Sequence, residues 1–157
     1  MDEKLKAANR LMLTQYLIYI AVAILLVVLY QSEVILEGTY AADFSMQYLL
    51  ETIGILFTIA LLPLSLKLFS IKLNKEIKEA GFEEALKLYK QWGTIRLMIL
   101  AFLTYLNIII YYMTLNNIGG LCALMALTAS IFCLPGEKKI REELNLVKNN
   151  EENKEEI

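Results

Sequence analysis

A few polar side chains interrupt the apolar stretches of this chain, and these are the residues that could do chemistry. Glu51 is the only acidic residue close to the interior of such a stretch, and it lies about one helical turn inside its start. A carboxyl group in an apolar layer can carry a proton or bind a cation, because an isolated charge is costly there. The alternative role is a carboxylate solvated at the edge of the layer, which is the commoner situation.

A second set of polar residues lies in the middle of a longer apolar run. Thr104, Asn107 and Tyr111 are spaced so that they share one face of a helix. Such a stripe could line a pore or a substrate cleft. Polar side chains on apolar helices also hydrogen-bond to neighbouring helices, and the lack of charged residues beside these three favours that structural role.

Composition excludes several classes of site. The chain has no histidine, so a histidine-based catalytic triad or metal site cannot form. Cys122 and Cys133 lie too far apart along one helix to form a disulfide, and no phosphate-binding loop, zinc motif or calcium loop occurs. We therefore expect no catalytic residue, no metal and no cofactor. The low pI of about 5.3 gives no reason to expect a nucleic-acid partner.

The elements that must position these residues are apolar helices. No charged side chain occurs between Leu97 and Gly136, and an uncharged stretch of this length is typical of integral membrane proteins. A turn is predicted within it at a cluster of turn-forming residues, Asn116, Asn117, Gly119 and Gly120. We predict an all-α transmembrane domain over residues 1–136. It is a bundle of four helices neighbouring in sequence order, with spans at about 11–30, 48–69, 95–115 and 118–134.

The distribution of basic residues predicts an orientation. All 15 Lys and Arg residues lie before the first span, between or at the facing ends of the second and third, or after the fourth. The positive-inside rule then places both termini, the loop 70–94 and the charged tail 137–157 in the cytoplasm. The loop is expected to be helical, either as a hairpin that continues the flanking spans or as an amphipathic helix on the membrane surface.

The fourth predicted span carries small residues on one face. They recur at helical spacing, at Gly119, Ala123, Ala126, Ser130 and Cys133. Small side chains let the backbones of membrane helices approach closely. We expect this face to pack, either within the bundle or against a partner.

These features favour a function in assembly. The packing face, the helical loop and the lack of a catalytic constellation predict a non-enzymatic subunit or scaffold of a membrane assembly. Its partners would be membrane lipid and either another protein or further copies of the chain. The alternative is a small oligomeric transporter or channel that uses Glu51 and the stripe of Thr104, Asn107 and Tyr111. Short loops and compactness favour a multi-pass protein of a bacterial inner membrane.

Overall fold

The computed structural model describes residues 2–77, 81–134, 136, 138–140 and 142. In this part of the chain it consists of α1 (Asp2–Gln31), α2 (Phe44–Ile77), α3 (Phe82–Thr114) and α4 (Asn117–Phe132). No strand occurs among these residues. The prediction of an all-helical fold is confirmed, and the arrangement is compatible with a helical bundle.

Three of the helices are long and apolar enough to cross a membrane. The apolar segments run over Glu3–Gln31, Phe44–Ile71 and Glu83–Thr114. Most side chains in the apolar segments of α1 and α2 are not buried within the protein, and a surface of this kind suits lipid better than water. These helices are typical of a multi-pass membrane protein. α4 is also apolar but has 16 residues, or roughly 24 Å at ~1.5 Å per residue.

The helix boundaries differ from the predicted spans at both ends of the bundle. α2 continues to Ile77 and α3 begins at Phe82, so two continuous helices occupy most of the segment 70–94. Gly81 precedes α3 in an extended conformation. The turn between α3 and α4 lies close to its predicted position and consists of Leu115, in a left-handed conformation (φ 52°), and Asn116. Gly119 and Gly120 lie within α4, as the predicted span 118–134 requires, and Asn117 is the first residue of that helix.

The helix α3 is central to the bundle. It packs against each of the other three helices, and α2 also packs against α4. α1 packs mainly against α3 and at most weakly against α2, so the expectation that helices neighbour one another in sequence order is wrong for this pair. The physical reason is that α1 and α2 bond to different faces of α3, α1 through Tyr19 to Thr104 and α2 through Thr58 to Asn107.

The two ends of the bundle have different character. At the end that we call the basic end, α1 and α3 begin and α2 and α4 finish. The opposite end, called the loop end, holds the loop 32–43 and the α3–α4 turn. The loop is fastened there to the end of α3, since the backbone N–H groups of Gly38 and Tyr40 donate to the carbonyls of Tyr112 (2.8 Å) and Met113 (3.1 Å).

A buried apolar cluster joins the helices at the basic end. It contains residues from α1, α2, α3 and the C-terminal segment, namely Leu5, Met12, Phe69, Ala85, Tyr89 and Ile140. An ion pair between Lys4 and Glu83 lies at its edge. The starts of α1 and α3, the end of α2 and the first part of the predicted tail thus form one packed unit. Residues 143–157 of that tail lie outside the described residues.

The helix α4 approaches α3 closely at Gly119. A Cβ added at Gly119 would lie 2.8 Å from the backbone nitrogen of Tyr111 and 3.0 Å from the carbonyl oxygen of Asn107. Such contacts are shorter than van der Waals separation. The position therefore requires a residue without a side chain.

Replacing this glycine is expected to destabilise the bundle. Alanine favours a helix over glycine by about 1 kcal/mol, but in Gly119→Ala the new methyl group would meet backbone. We expect a net loss of ~1–3 kcal/mol in the free energy of unfolding, measured in detergent micelles. Gly120→Ala is the matched control, because its Cβ would meet only the ring of Tyr111, at 3.2 Å, which can shift. Equal effects of the two substitutions would contradict the close approach.

Candidate functional site

Asn107 lies in the interior of the bundle and joins α3 to α2. It is fully buried, and its Nδ2 donates to the Thr58 hydroxyl of α2 at 3.0 Å and to the Leu103 carbonyl at 2.9 Å. Its Oδ1 is buried with no hydrogen-bond partner among the described residues. A Cβ added at Gly54 would lie 2.8 Å from this oxygen. Gly54 therefore provides the space that the Asn107 amide needs against α2.

Thr104 joins α3 to α1. Its hydroxyl donates to the Leu100 carbonyl at 2.8 Å, and the Tyr19 hydroxyl of α1 lies 2.8 Å from it. Because the proton of Thr104 is already used, Tyr19 is the donor in the second bond. Tyr105 adds a further link, since its hydroxyl donates to the Tyr19 carbonyl at 3.0 Å. α1 is thus held by three tyrosine and threonine side chains near the middle of its length.

Tyr111 completes the predicted stripe but has a different environment. Its ring is partly buried and packs beside Gly120 of α4 and edge-on to Tyr112, with 5.0 Å between ring centroids. These contacts are aromatic and apolar. The structure therefore does not gather Thr104, Asn107 and Tyr111 around one space, because they face α1, α2 and α4 respectively.

Glu51 lies at the loop end and fastens the α3–α4 turn to α2. Its Oε1 accepts hydrogen bonds from Nδ2 of Asn116 at 2.6 Å and from Nε2 of Gln47 at 3.1 Å. Asn116 immediately precedes α4, so the carboxylate positions the start of that helix. Glu51 is partly buried, and it is not brought next to the buried pair of Asn107 and Thr58.

The small-residue face of α4 is used within the chain. All five of its members are buried, namely Gly119, Ala123, Ala126, Ser130 and Cys133. Ala123 packs in a cluster with α1 and α3 side chains, and the Ser130 hydroxyl lies 3.5 Å from that of Tyr16 on α1. The sequence left open whether this face packs within the bundle or against a partner. The contacts of Ala123 and Ser130 lie within the bundle.

Arg96 is a residue whose position the sequence analysis missed. In the sequence it is one of the basic residues at the end of a span, where an exposed side chain is expected. In the structure its side chain is buried, with 8% of its surface exposed. Its guanidinium carbon lies 3.9 Å from the centroid of the Phe69 ring on α2, and its NH2 group donates to the Cys133 carbonyl at 3.4 Å. Lys139 donates to the neighbouring carbonyl of Phe132 at 3.0 Å. Two cations therefore meet the free carbonyls at the end of α4, where the helix dipole favours positive charge.

These groups can hold helices together, and their chemistry is that of hydrogen bonding. Within residues 2–77 and 81–134 and the few described beyond them, no group of three His, Cys, Asp or Glu residues could hold a metal ion. The buried members of the network, Thr58, Thr104, Asn107 and Ser130, are all neutral. Each of them binds a partner on its own or an adjacent helix.

The role assigned to Glu51 predicts different effects of two substitutions. In Glu51→Gln the side-chain oxygen can still accept the hydrogen bond from Asn116, so we expect a loss of less than about 1 kcal/mol in the free energy of unfolding. In Glu51→Leu the acceptor disappears and the Asn116 amide loses its partner, so the expected loss is ~1–3 kcal/mol. Denaturation in detergent micelles measures both values. A glutamine variant as unstable as the leucine variant would contradict the acceptor role.

No model of a protein family, no curated protein and no solved structure matches this chain. The function proposed next is therefore based on the contacts and chemistry of its own residues.

Proposed function

We propose that the chain is a four-span membrane protein that acts by association, as a subunit or scaffold of a membrane assembly. Both termini and the segment 70–94 lie in the cytoplasm in this proposal. The charge distribution supports this orientation, because Lys and Arg flank the helices at the basic end and none occurs between Gln31 and Leu66 or between Leu97 and Gly136. The exposed apolar side chains along α1 and α2 support insertion in lipid.

The short helix α4 is proposed as the fourth span. Its last carbonyls meet Arg96 of α3, and its first residues follow Asn116, which is bound to Glu51 of α2. α4 therefore runs beside the part of α3 between Arg96 and Thr114, which covers roughly 27 Å at ~1.5 Å per residue. That length approaches the ~30 Å thickness of a hydrocarbon core. Arg96 and Glu51 would then mark its two boundaries.

The proposal of association is based on the side of α3 that no other helix covers. α1 and α2 pack on different faces of α3 and at most weakly on each other. Between those faces α3 exposes an apolar stripe formed by Ile95, Met98 and Phe102, at spacings that align them along one side of a helix. Met98 is 69% and Phe102 56% exposed. The helix that already contacts three others in the chain thus has a further face open to a helix of another chain.

The alternative function, a transporter or channel, requires residues that form hydrogen bonds within the bundle. Thr104 and Asn107 are fully buried and bonded to Tyr19 and Thr58. Glu51 is bonded at the loop end to Asn116. Each of these groups contributes to helix packing, and none of these contacts favours movement of a substrate. We therefore propose association and not transport.

Substitutions on the exposed stripe are expected to dissociate the assembly. In Met98→Ala/Phe102→Ala the apolar contact area offered to a partner helix shrinks, while the packing within the chain is unchanged. The matched control is Met125→Ala/Phe132→Ala, which removes the same residue types from α4, where they are 52% and 71% exposed. The measurement is the particle mass of protein extracted from its native membrane in mild detergent, corrected for detergent and lipid.

The wild type and the α4 variant should both exceed the mass of one 18.0 kDa chain, whereas the α3 variant should match it. A wild-type particle that contains one chain and no partner would contradict association. If the α3 variant keeps the same particle mass as the α4 variant, the stripe faces lipid, and this result would contradict its proposed role.

A further inference from the structure

A groove at the basic end runs between the start of α1 and the start of α3. Its cavity volume is about 380 Å³, which falls in the range of roughly 300–1,000 Å³ that is typical of small-ligand sites. Ala7 and Leu11 of α1 line its apolar side, and Lys87 and Lys90 of α3 line its polar side. The buried cluster of the basic end packs behind it, because Leu86 lines the groove and also packs against that cluster.

The groove carries uncompensated positive charge. At one end Lys4 and Glu83 form an ion pair and neutralise each other. Lys87 and Lys90, which are about one helical turn apart, form no ion pair with any described residue. Two ammonium groups over an apolar wall suit a ligand that combines an anionic group with an apolar body.

The groove opens where the helices leave the apolar layer. Leu11 begins the first apolar stretch directly after Arg10, and one turn further along the hydroxyl of Thr94 donates to Oε1 of Gln15 at 3.0 Å. Leu11 and Lys90 are therefore at about the same level. From there the groove extends toward Lys4 over two helical turns, or roughly 10 Å at ~1.5 Å per residue. This is the depth at which lipid headgroups lie next to a spanning helix.

We propose that this groove binds the phosphate headgroup of an anionic phospholipid of the cytoplasmic leaflet. Lys87 and Lys90 bind the phosphate, and the acyl chains pass Leu11 into the layer. Basic pockets between helices on the cytoplasmic side of membrane proteins bind anionic headgroups in this way. A soluble acidic ligand would not need the apolar wall or the opening toward the layer. The inference rests on the membrane placement proposed above and is independent of association.

The test uses the full chain in vesicles of phosphatidylcholine that contain a minority of phosphatidylglycerol. Flotation with the vesicles is scored first, and the lipids retained per protein are then counted by native mass spectrometry. The wild type should retain phosphatidylglycerol in preference to phosphatidylcholine. Lys87→Gln/Lys90→Gln should lower that preference about thirty-fold, since each lysine near an anionic headgroup contributes roughly 1 kcal/mol.

Two further variants separate the groove from general surface charge. Lys6→Gln/Lys75→Gln removes the same charge from exposed lysines at the same end of the bundle and should keep the preference. Ala7→Trp retains every lysine but fills the groove, so it should abolish the preference.

Four outcomes would overturn the inference. An equal loss in Lys6→Gln/Lys75→Gln would show attraction by surface charge alone. Displacement of the retained lipid by inorganic phosphate or by an acidic peptide at equal concentration would show a soluble ligand. A protein that floats but retains both lipids equally would overturn the lipid site and leave the membrane placement standing. A protein that does not float would overturn the placement and the lipid site together.

Discussion

The bundle depends on hydrogen bonds that α3 makes from the middle of its apolar length. Polar groups buried among apolar side chains have no water to bind, so hydrogen-bond partners within the protein stabilise them. The amide nitrogen of Asn107 binds Thr58 of α2, and the hydroxyl of Thr104 binds Tyr19 of α1. Because the two bonds leave α3 on different faces, α1 and α2 lie on different sides of it. α4 packs on a third side of α3, and the remaining, uncovered side is the surface on which the proposal of association rests.

The two ends of α4 are held by polar contacts of a different kind. Glu51 binds the amide of Asn116 before the helix starts, and Arg96 binds the carbonyl of Cys133 after it finishes. Between them, small side chains let the helix approach α3 until only glycine fits at position 119. A helix of 16 residues is thereby kept beside the apolar part of α3. Glu51, one of the polar residues that first suggested transport, thus helps to hold α4, and the groove at the basic end is a separate feature.

The sequence predicted four apolar helices, because apolar runs separated by charged or turn-forming residues indicate them. It did not predict how far α1, α2 and α3 continue beyond their apolar runs at the basic end. The helical spacing also placed the small residues of α4 on one face. The sequence could not predict which helices pack together, since α1 and α2 are apolar on every side and no face is marked for a partner. Nothing in α2 distinguishes Thr58, which binds Asn107, from Thr52, which binds its own helix. The burial of Arg96 likewise depends on Phe69 and Cys133 being adjacent in space.

The central claim is that polar side chains hold the helices together through hydrogen bonds. The pair of Tyr19 and Thr104, which joins α1 to α3, tests this claim most directly. A double-mutant cycle with Tyr19→Phe and Thr104→Val removes each hydroxyl without leaving a large cavity. The predicted coupling in the free energy of unfolding is about 0.6 kcal/mol and at most ~1.7 kcal/mol, as for other hydrogen bonds between membrane helices. Thr128→Val is the control, because the exposed Thr128 hydroxyl donates to its own helix at Leu124, and it should show no coupling to Tyr19→Phe. Zero coupling between Tyr19 and Thr104 would contradict the account.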